Sequence, residues 1–443
     1  MISLLLIVFV QSMNPLDTTF NGTGKAQYTI NSIGGNSICP FFDIAEQADG
    51  KMVLVGTVWG GLTMDSLILR LDETGQLDTS FSLVGWKKID MFGSESERFV
   101  AVALSESGNI YAAGYYDSAK KTVLYCFDSQ GNPDPQFGSD GYILPGLEYA
   151  RFTASSLVIQ SDGKLVLAGH LQEGGLSKPF LYRFLPDGSS DADFGIDGTG
   201  LVISSFDKSA QAKTVLQDAN GDLLLSGSIN QGSHWDGFIL RYSQSGFLDA
   251  NFGINGTTVL DLGFDERFEN MTLLPDQRII VVGRTGDDTQ LQALTAMYMS
   301  DGVLDSSFGV DGIHSTSVNL FSQNDAVAVR GGLIWQAGGG SEALGGINNT
   351  YVFRRCNMVG NVDPSFGNNG EFSLGYGTED KPQKLLFDKK GRLWAIGFSK
   401  FGPYNYRHGV IVRFHGTYYS DLGVTDWPTK PVHDLVAVVN SWN

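Results

Sequence analysis

The chain has 443 residues and a formal net charge of −18, from 30 basic and 48 acidic residues. An acidic chain without a basic run is poorly suited to neutralise phosphates, which argues against nucleic acid as a partner. Cys39, Cys126 and Cys356 show no CxxC spacing, which argues against a zinc ribbon or a redox pair. The 56 glycines and the short alternating apolar runs are typical of an all-β protein.

The chain begins with an apolar run of nine residues, from Ile2 to Val10. A membrane-spanning helix needs about 20 such residues, so no transmembrane span is predicted there. Residues 1–12 resemble a secretory signal peptide, although its basic amino-terminal region is missing. The alternatives are a buried leading strand or a misplaced start codon. Interpreted as a leader, the segment predicts an extracellular, periplasmic or cell-surface protein.

A signature of Asp, then Phe three residues later, then two glycines recurs along the chain, most clearly at residues 248–256. Its phenylalanine stands at seven positions, 56 to 61 residues apart: Phe20, Phe81, Phe137, Phe194, Phe252, Phe308 and Phe366. A repeat of this length over most of the chain predicts one closed array rather than two or three ordinary domains.

Residues 41–90 represent one repeat and contain four short apolar strands separated by turns and a loop. The second strand of every copy ends in a glycine: Gly56, Gly114, Gly169, Gly227, Gly283, Gly338 and Gly397. A strand glycine at one fixed place indicates close approach of two backbones or a bend. The third strand is apolar nearly throughout, as expected where neighbouring sheets cover both of its faces.

These units predict an all-β fold, a seven-bladed β-propeller of four-stranded antiparallel blades, because circular closure buries both faces of each small sheet. The chain has one additional strand near residues 24–30, and the last apolar strand, residues 410–414, has no signature after it. We therefore expect the amino-terminal strand to pair into the last blade and close the ring. The propeller is predicted to span residues 13–416.

Residues 417–443 leave the repeat and form a carboxy-terminal tail. Leu435, Val438, Val439 and Trp442 follow helical spacing, which predicts a short amphipathic helix. Such a helix would dock on the ring or bind a partner.

The pattern LDxxFGxxG, followed by an apolar strand, a DGK-type turn, a VxxG strand and an LxR-aromatic strand, resembles the delta-60 repeat family of bacterial β-propellers. The resemblance covers about residues 16–414. It implies a secreted or surface-associated propeller. The family has no common catalytic motif, so the resemblance implies little about chemistry.

The signature residues are predicted to be structural. Aspartates Asp78, Asp134, Asp191, Asp249, Asp305 and Asp363 stand eight or nine residues after Arg70, Cys126, Arg183, Arg241, Met297 and Arg354. The spacing indicates a repeated Asp–Arg pair, but Cys126 and Met297 interrupt it. Each aspartate is therefore expected to cap the backbone of its own turn, and each phenylalanine to pack between blades.

Strand alternation sends the loops after the second and fourth strands to one face of the disk, the loop face, and the signature to the opposite signature face. Aromatic residues and a histidine of the loop face are candidates for ligand binding: Trp59, Tyr115, Tyr116, His234, Trp235, Tyr404 and Tyr406. Exposed aromatics beside polar groups are typical of glycan or protein recognition. His170, His234 and His408 lie in three separate blades and are not expected to share one ion, so no metal site is predicted.

The loops that enter the innermost strands contain Glu97, Glu148, Asp265, Glu266 and Asp380, which predicts an acidic mouth on the propeller axis. Such a mouth would attract a cation or a basic partner. A hydrated surface on an acidic protein is the alternative. No cofactor is required, although a divalent cation at this mouth would supply hydrolytic chemistry.

Three functional hypotheses follow. No GxSxG, HExxH, GxxxxGK[ST] or GxGxxG motif is present, which favours a non-enzymatic, exported propeller that binds a glycan or a protein through its loop face. The second hypothesis is a metal-dependent hydrolase or lactonase at the axial mouth. The third is a structural subunit of a larger surface assembly, in which the propeller itself is monomeric.

Overall fold

The computed structural model describes residues 15–28, 39–59, 63–91, 93, 95–116, 121–146, 151–287, 289–316, 321–341, 350–401 and 406–415. In these ranges the chain forms strands and no helix, and they are arranged as seven antiparallel blades of four strands. The predicted seven-bladed β-propeller is confirmed. The described ranges contain no helix long and apolar enough to cross a membrane. The predicted leader and the predicted carboxy-terminal helix lie outside these ranges.

The strands are named in chain order. The amino-terminal strand and the strands of blades one to three are β1 (Lys25–Tyr28); β2 (Phe41–Glu46), β3 (Met52–Trp59), β4 (Met64–Leu71) and β5 (Trp86–Ile89); β6 (Glu97–Leu104), β7 (Ile110–Tyr116), β8 (Lys121–Phe127) and β9 (Tyr142–Ile143); β10 (Arg151–Ile159), β11 (Leu165–Glu173), β12 (Leu176–Phe184) and β13 (Leu201–Ile203). The strands of blades four and five are β14 (Ala210–Gln217), β15 (Leu223–Asn230), β16 (Trp235–Tyr242) and β17 (Thr257–Leu260); β18 (Arg267–Leu273), β19 (Ile279–Gly286), β20 (Leu291–Tyr298) and β21 (Ile313–Thr316). A short linking strand and the strands of blades six and seven are β22 (Phe321–Ser322); β23 (Ala326–Arg330), β24 (Leu333–Ser341), β25 (Thr350–Asn357) and β26 (Glu371–Leu374); β27 (Glu379–Phe387), β28 (Leu393–Phe401) and β29 (Tyr406–Phe414).

The first strand of each blade lies at the axis. Strands of a blade pair in chain order, and the first strands of neighbouring blades contact one another around the whole ring. Strand β2 contacts both β6 and β27, so the first and last blades meet. Strand β22 pairs with β20 and β24 and thereby joins blades five and six. The axis is therefore lined by side chains from all seven blades.

The amino terminus closes the ring as predicted. Strand β1 pairs antiparallel with β29, from Lys25 opposite Val412 to Tyr28 opposite Gly409. The buried Arg413 guanidinium lies 2.8 Å from the Asp17 carboxylate. Blade seven is therefore completed by a strand from the other end of the chain.

The signature aspartates cap turns. In each copy the Oδ1 atom accepts the backbone N–H of the residue two positions later, at 3.0 to 3.1 Å, from Asp78, Asp134, Asp191, Asp249, Asp305 and Asp363. In most copies the other carboxylate oxygen pairs with an arginine. For example, Arg183 Nε donates to Asp191 Oδ2 at 2.7 Å.

Two copies differ from the predicted arginine pairing. Asp363 pairs with Arg355 at 2.6 Å, whereas Arg354 pairs with Glu371 at 2.8 Å. Successive strand residues point to opposite faces of a blade, so only the arginine eight residues before the aspartate reaches it. The Asp305 carboxylate instead pairs at 2.9 Å with Arg278, which lies in the turn between the first two strands of blade five.

We expect the turn at Asp249 to respond to acid. The backbone N–H of Asn251 and the Arg241 guanidinium lower the pKa of Asp249. A carboxyl whose pKa is lower in the folded state stabilises the fold fully above its unfolded pKa of about 3.9, and this stabilisation is lost progressively as the pH falls from that value through the lower folded-state pKa. Asp249→Asn should therefore reduce the free energy of unfolding by about 1–2 kcal/mol at pH 7 and by much less at pH 3. Urea unfolding at both pH values measures this difference, and an equal loss at both would contradict the role of the charge.

Candidate functional site

Each blade turns one bulged residue toward the axis. The pairing between first and second strands shifts by one residue at Phe42, Val100, Ser155, Lys213, Glu269 and Gln383. In blade six, Phe321 faces Ser341 and Ala326 faces Ala337, so the same offset occurs and Asp325 takes the equivalent place. A bulge re-aims a side chain, and here the repeat re-aims seven of them.

The glycine of the second strand makes this bulge sterically feasible. A Cβ added to Gly283 would lie 1.8 Å from the Arg267 carbonyl oxygen, and the other six glycines of the set give 1.7 to 2.2 Å with the equivalent carbonyl. Only a residue without a side chain permits this approach. The seven strand glycines therefore belong to the architecture of the axis.

All seven bulged residues line one axial cavity of about 310 Å³. The lining also includes Asp43, Arg98, Tyr115, Lys381 and Lys384. Residues from separate blades converge here although they are far apart in sequence. We call this space the axial cavity.

The charges of the axial cavity are arranged mainly as ion pairs. Lys213 Nζ lies 2.7 Å from Glu269 Oε2. Lys381 lies 3.5 Å from Asp325, and Lys384 lies 3.6 Å from Asp43. With Arg98, the lining holds four cationic side chains and three carboxylates.

Two carboxyls of the axial cavity have opposite pKa shifts. Although burial alone would raise it, the ammonium groups of Lys213 and Lys381 lower the pKa of Glu269 to about 2. Burial raises the pKa of Asp325, with Lys381 acting against it and Glu269 reinforcing it. The cavity thus pairs a carboxylate that stays ionised with a carboxyl that binds a proton more readily.

The arrangement differs from the expected acidic mouth. Glu97, Glu266 and Asp380 are buried and do not line the axial cavity. Each accepts a backbone N–H from the preceding loop: Met91 to Glu97 at 2.9 Å, Leu262 to Glu266 at 3.0 Å and Tyr376 to Asp380 at 2.8 Å. These loops need acceptors for their buried N–H groups, and the acids supply them.

Of the two further predicted acids, only Asp265 lies within the described residues. Asp265 Oδ1 accepts the Trp235 backbone N–H at 2.8 Å, and Glu148 lies outside the described residues. Sequence position placed Asp265 near the axis, but its carboxylate accepts a backbone N–H at the start of β16.

The predicted aromatic candidates are dispersed. Tyr115 lines the axial cavity, with Arg98 Cζ 5.3 Å from its ring centroid, whereas the adjacent Tyr116 is buried. Trp235 is half-buried, with Arg267 Cζ 4.6 Å from its ring. Trp59 is half-buried at the end of β3. Tyr404 and the side chain of Tyr406 lie outside the described residues.

One group of described residues has the composition of a metal site. His234, Asp236 and Asp261 offer ligand atoms that all lie within 4.8 Å of one another. They lie on the loop face of blade four, away from the residues that line the axial cavity.

A larger cavity, of about 620 Å³, lies between blades three and four and includes residues of the signature face. Its lining is mainly apolar strand and turn residues, among them the exposed Ile196 and Ile254. Asp197 is its one charged lining residue. We therefore place the candidate site in the smaller axial cavity, where several charged and hydrogen-bonding groups converge.

Comparison with known proteins supports the architecture. Residues 47–81 and 160–194 match a family described as a domain of unknown function (DUF5122) beta-propeller. Each segment ends at a signature phenylalanine. The match supports a β-propeller repeat family, and no curated protein matches the chain.

Solved structures of several different proteins are similar to this chain. The polysaccharide lyase Uly1 is 13% identical, with a TM-score of 0.50 over 87% of this chain and 92% of that chain. A catalytically inactive virginiamycin B lyase from Staphylococcus aureus, with quinupristin, is 11% identical, with a TM-score of 0.48 over 88% and 99%. The extracellular domains 1–2 of Drosophila Semaphorin 1b are 10% identical, with a TM-score of 0.46 over 88% and 86%. At these identities the likeness is one of fold alone.

Proposed function

We propose that this protein is a ligand-binding β-propeller that takes a carbohydrate in its axial cavity, with carboxylate-bearing sugars preferred. The observation that carries the proposal is the convergence of one bulged residue from every blade on a single polar cavity. This position changes in chemical type from blade to blade, whereas the second-strand glycine and the signature phenylalanine are the same in all seven copies.

The lining suits a ligand with many hydroxyl groups. Hydroxyl and amide side chains supply donors and acceptors at Ser155, Ser156, Thr214, Asn270 and Gln383. The Tyr115 ring and the Arg98 guanidinium add a planar pair against which a sugar ring can pack. The ion pairs hold their side chains in place before a ligand arrives, which lowers the ordering cost of binding.

Charge favours an acidic sugar. The cavity lining has one more cation than carboxylates, whereas the whole chain has a net charge of −18. The positive charge of the lining attracts an anion to the axial cavity, whereas the negative charge of the rest of the protein repels the anion.

We extend the proposal to the repeat family and to the cellular location of the protein. The LDxxFGxxG pattern supports assignment of the repeat to the delta-60 family. The apolar run at residues 2–10 supports export, so the ligand would be met outside the cytoplasm.

The opposed pKa shifts of Glu269 and Asp325 favour cleavage as a second candidate function. The cavity sets a carboxylate that keeps its charge beside a carboxyl with a raised pKa, and glycosidic bond cleavage divides the roles of base and acid between two such groups. This candidate differs from a metal-dependent hydrolase, because it assigns the chemistry to two axial acids that lie beside lysines. Incubation of a bound oligosaccharide with the protein tests it, since shortened products that disappear in Glu269→Gln would indicate catalysis.

Binding itself is tested on an array of neutral and acidic oligosaccharides. We expect the protein to retain acidic members, and Arg98→Gln to weaken binding at least about tenfold, equivalent to about 1.4 kcal/mol. Lys178→Gln is the matched control, because Lys178 is a surface cation paired with Glu173 and distant from the cavity. Failure to retain any member of a broad panel, or an equal effect of both substitutions, would contradict the proposal.

A further inference from the structure

Three side chains meet at one point on the loop face of blade four. His234 directly precedes the first residue of β16, Asp236 lies within β16, and Asp261 follows β17. His234 Nε2 lies 3.2 Å from Asp236 Oδ1 and 3.8 Å from Asp261 Oδ1. Because β16 and β17 are neighbours, the pairing of Gly237 with Leu260 brings the two aspartates together.

Two atoms of this group are buried without a hydrogen bond. Asp236 is only 1% exposed, and both its Oδ1 atom and the Nε2 atom of His234 lack a hydrogen-bond partner. Leaving a buried polar atom unsatisfied costs about 1–3 kcal/mol, so such atoms require an explanation. The two atoms lie 3.2 Å apart, which places both unsatisfied groups at the same point.

The spacing of these atoms fits the ligands of one metal ion. Zinc binds histidine nitrogen and carboxylate oxygen at about 2.0–2.2 Å in tetrahedral geometry, which separates neighbouring ligand atoms by about 3.3–3.5 Å. The separations of 3.2 and 3.8 Å from the histidine nitrogen bracket this range, and the ligand atoms of the two aspartates lie within 4.8 Å of each other.

Neighbouring side chains orient His234 and Asp236. Gln231 Nε2 donates to Asp236 Oδ2 at 2.6 Å, which leaves Oδ1 directed at the histidine. Ser233 Oγ lies 2.9 Å from His234 Nδ1. When Nδ1–H donates to this hydroxyl, Nε2 presents its lone pair, which is the tautomer that a metal needs.

We propose that His234, Asp236 and Asp261 bind a divalent transition-metal ion, Zn²⁺ by preference, with one coordination position open to water or to a ligand. The imidazole selects a transition metal, because Ca²⁺ and Mg²⁺ favour shells made of oxygen alone. The open position follows because three protein ligands occupy three of the four tetrahedral positions, and the exposed Asp261 places the site at the protein surface. The ion would fix the loop before β16 to the end of β17, beside Trp235.

Titration calorimetry of the full chain with ZnCl₂, after treatment with a chelator, tests the proposal. We expect one Zn²⁺ per chain and no comparable binding of Ca²⁺. His234→Gln should weaken binding by more than the roughly 10–100-fold that loss of an outer-shell partner costs, and Ser233→Ala by about that amount. Asp207→Asn is the matched control, since Asp207 is an exposed acid of the same face that does not belong to the group.

Several results would overturn the site. Absence of Zn²⁺ binding, unchanged binding in His234→Gln, or stronger binding of Ca²⁺ than of Zn²⁺ would each do so. Binding of Co²⁺ offers a second readout. The visible absorption of the Co²⁺ complex reports whether imidazole and carboxylate groups bind the ion, and it can be measured on each folded variant. The proposal is independent of carbohydrate binding in the axial cavity, so failure of either leaves the other standing.

Discussion

A chain that begins at residue 29 is expected to lose its cooperative unfolding transition. The truncation removes strand β1, the buried Phe20 ring and the carboxylate of the Asp17–Arg413 pair. Loss of a buried phenylalanine costs about 3–5 kcal/mol, and a buried ion pair that loses one partner costs about 3–5 kcal/mol. Their sum approaches the whole stability of an ordinary domain, about 5–15 kcal/mol.

Thermal melting by circular dichroism and calorimetry measures the effect of this truncation. The edge of β29 would also be left unpaired, so aggregation on heating is expected. A synthetic peptide of residues 15–28 serves as the control, because adding it back should restore a sharp transition. A truncated chain with an unchanged melting temperature and enthalpy would show that β1 does not close the ring.

Phe252→Ala should lower the free energy of unfolding by about 3–5 kcal/mol. The ring is fully buried in a cluster that joins blades four and five, and Arg241 Cζ lies 4.9 Å from its centroid. A Cβ added to Gly302, in blade five, would come within 2.8 Å of the ring. Removal of the Phe252 ring therefore opens a cavity between two blades, and the blades cannot easily move closer to fill it.

Ile254→Ala is the control for Phe252→Ala, because Ile254 belongs to the same turn but is 80% exposed. We expect it to change the free energy of unfolding by less than about 0.5 kcal/mol. Urea unfolding of both variants compares the two positions. Similar losses in both would mean that the signature phenylalanine does not hold neighbouring blades together.

The fold could be predicted because its determinants are repeated. Seven copies of Asp-x-x-Phe, at nearly constant spacing, identify the blade as the unit. The glycine at the end of each second strand, such as Gly283, also indicated a close backbone approach. Ring closure followed from the additional strand at one end of the chain and the missing signature at the other.

The axial cavity could not be predicted in the same way, because a bulge changes which side chain faces the axis. Loop position alone places Glu266 at the mouth, but the extra residue turns Glu269 inward. The fixed glycine gives the signal that was missed, since the carbonyl it accommodates lies two residues before the bulged position. Lys213 and Glu269 can be found from the sequence by that offset.

The histidine site was missed for a different reason. A search for histidines that converge from separate blades fails, whereas His234 and Asp236 are two residues apart on one strand edge. Alternation places such residues on the same side, and Asp261 reaches them from the neighbouring strand. Which strands are neighbours follows from the blade, so this site becomes visible only once the fold is known.

Location of a bound sugar tests the central claim most directly. A crystal structure of the protein with the tightest-binding acidic oligosaccharide of the array should show the sugar in the axial cavity, in contact with Lys213 and Tyr115. Density for the sugar at the rim beside Trp59, or on the signature face, with the axial cavity filled only by water, would contradict the assignment of this cavity as the functional site.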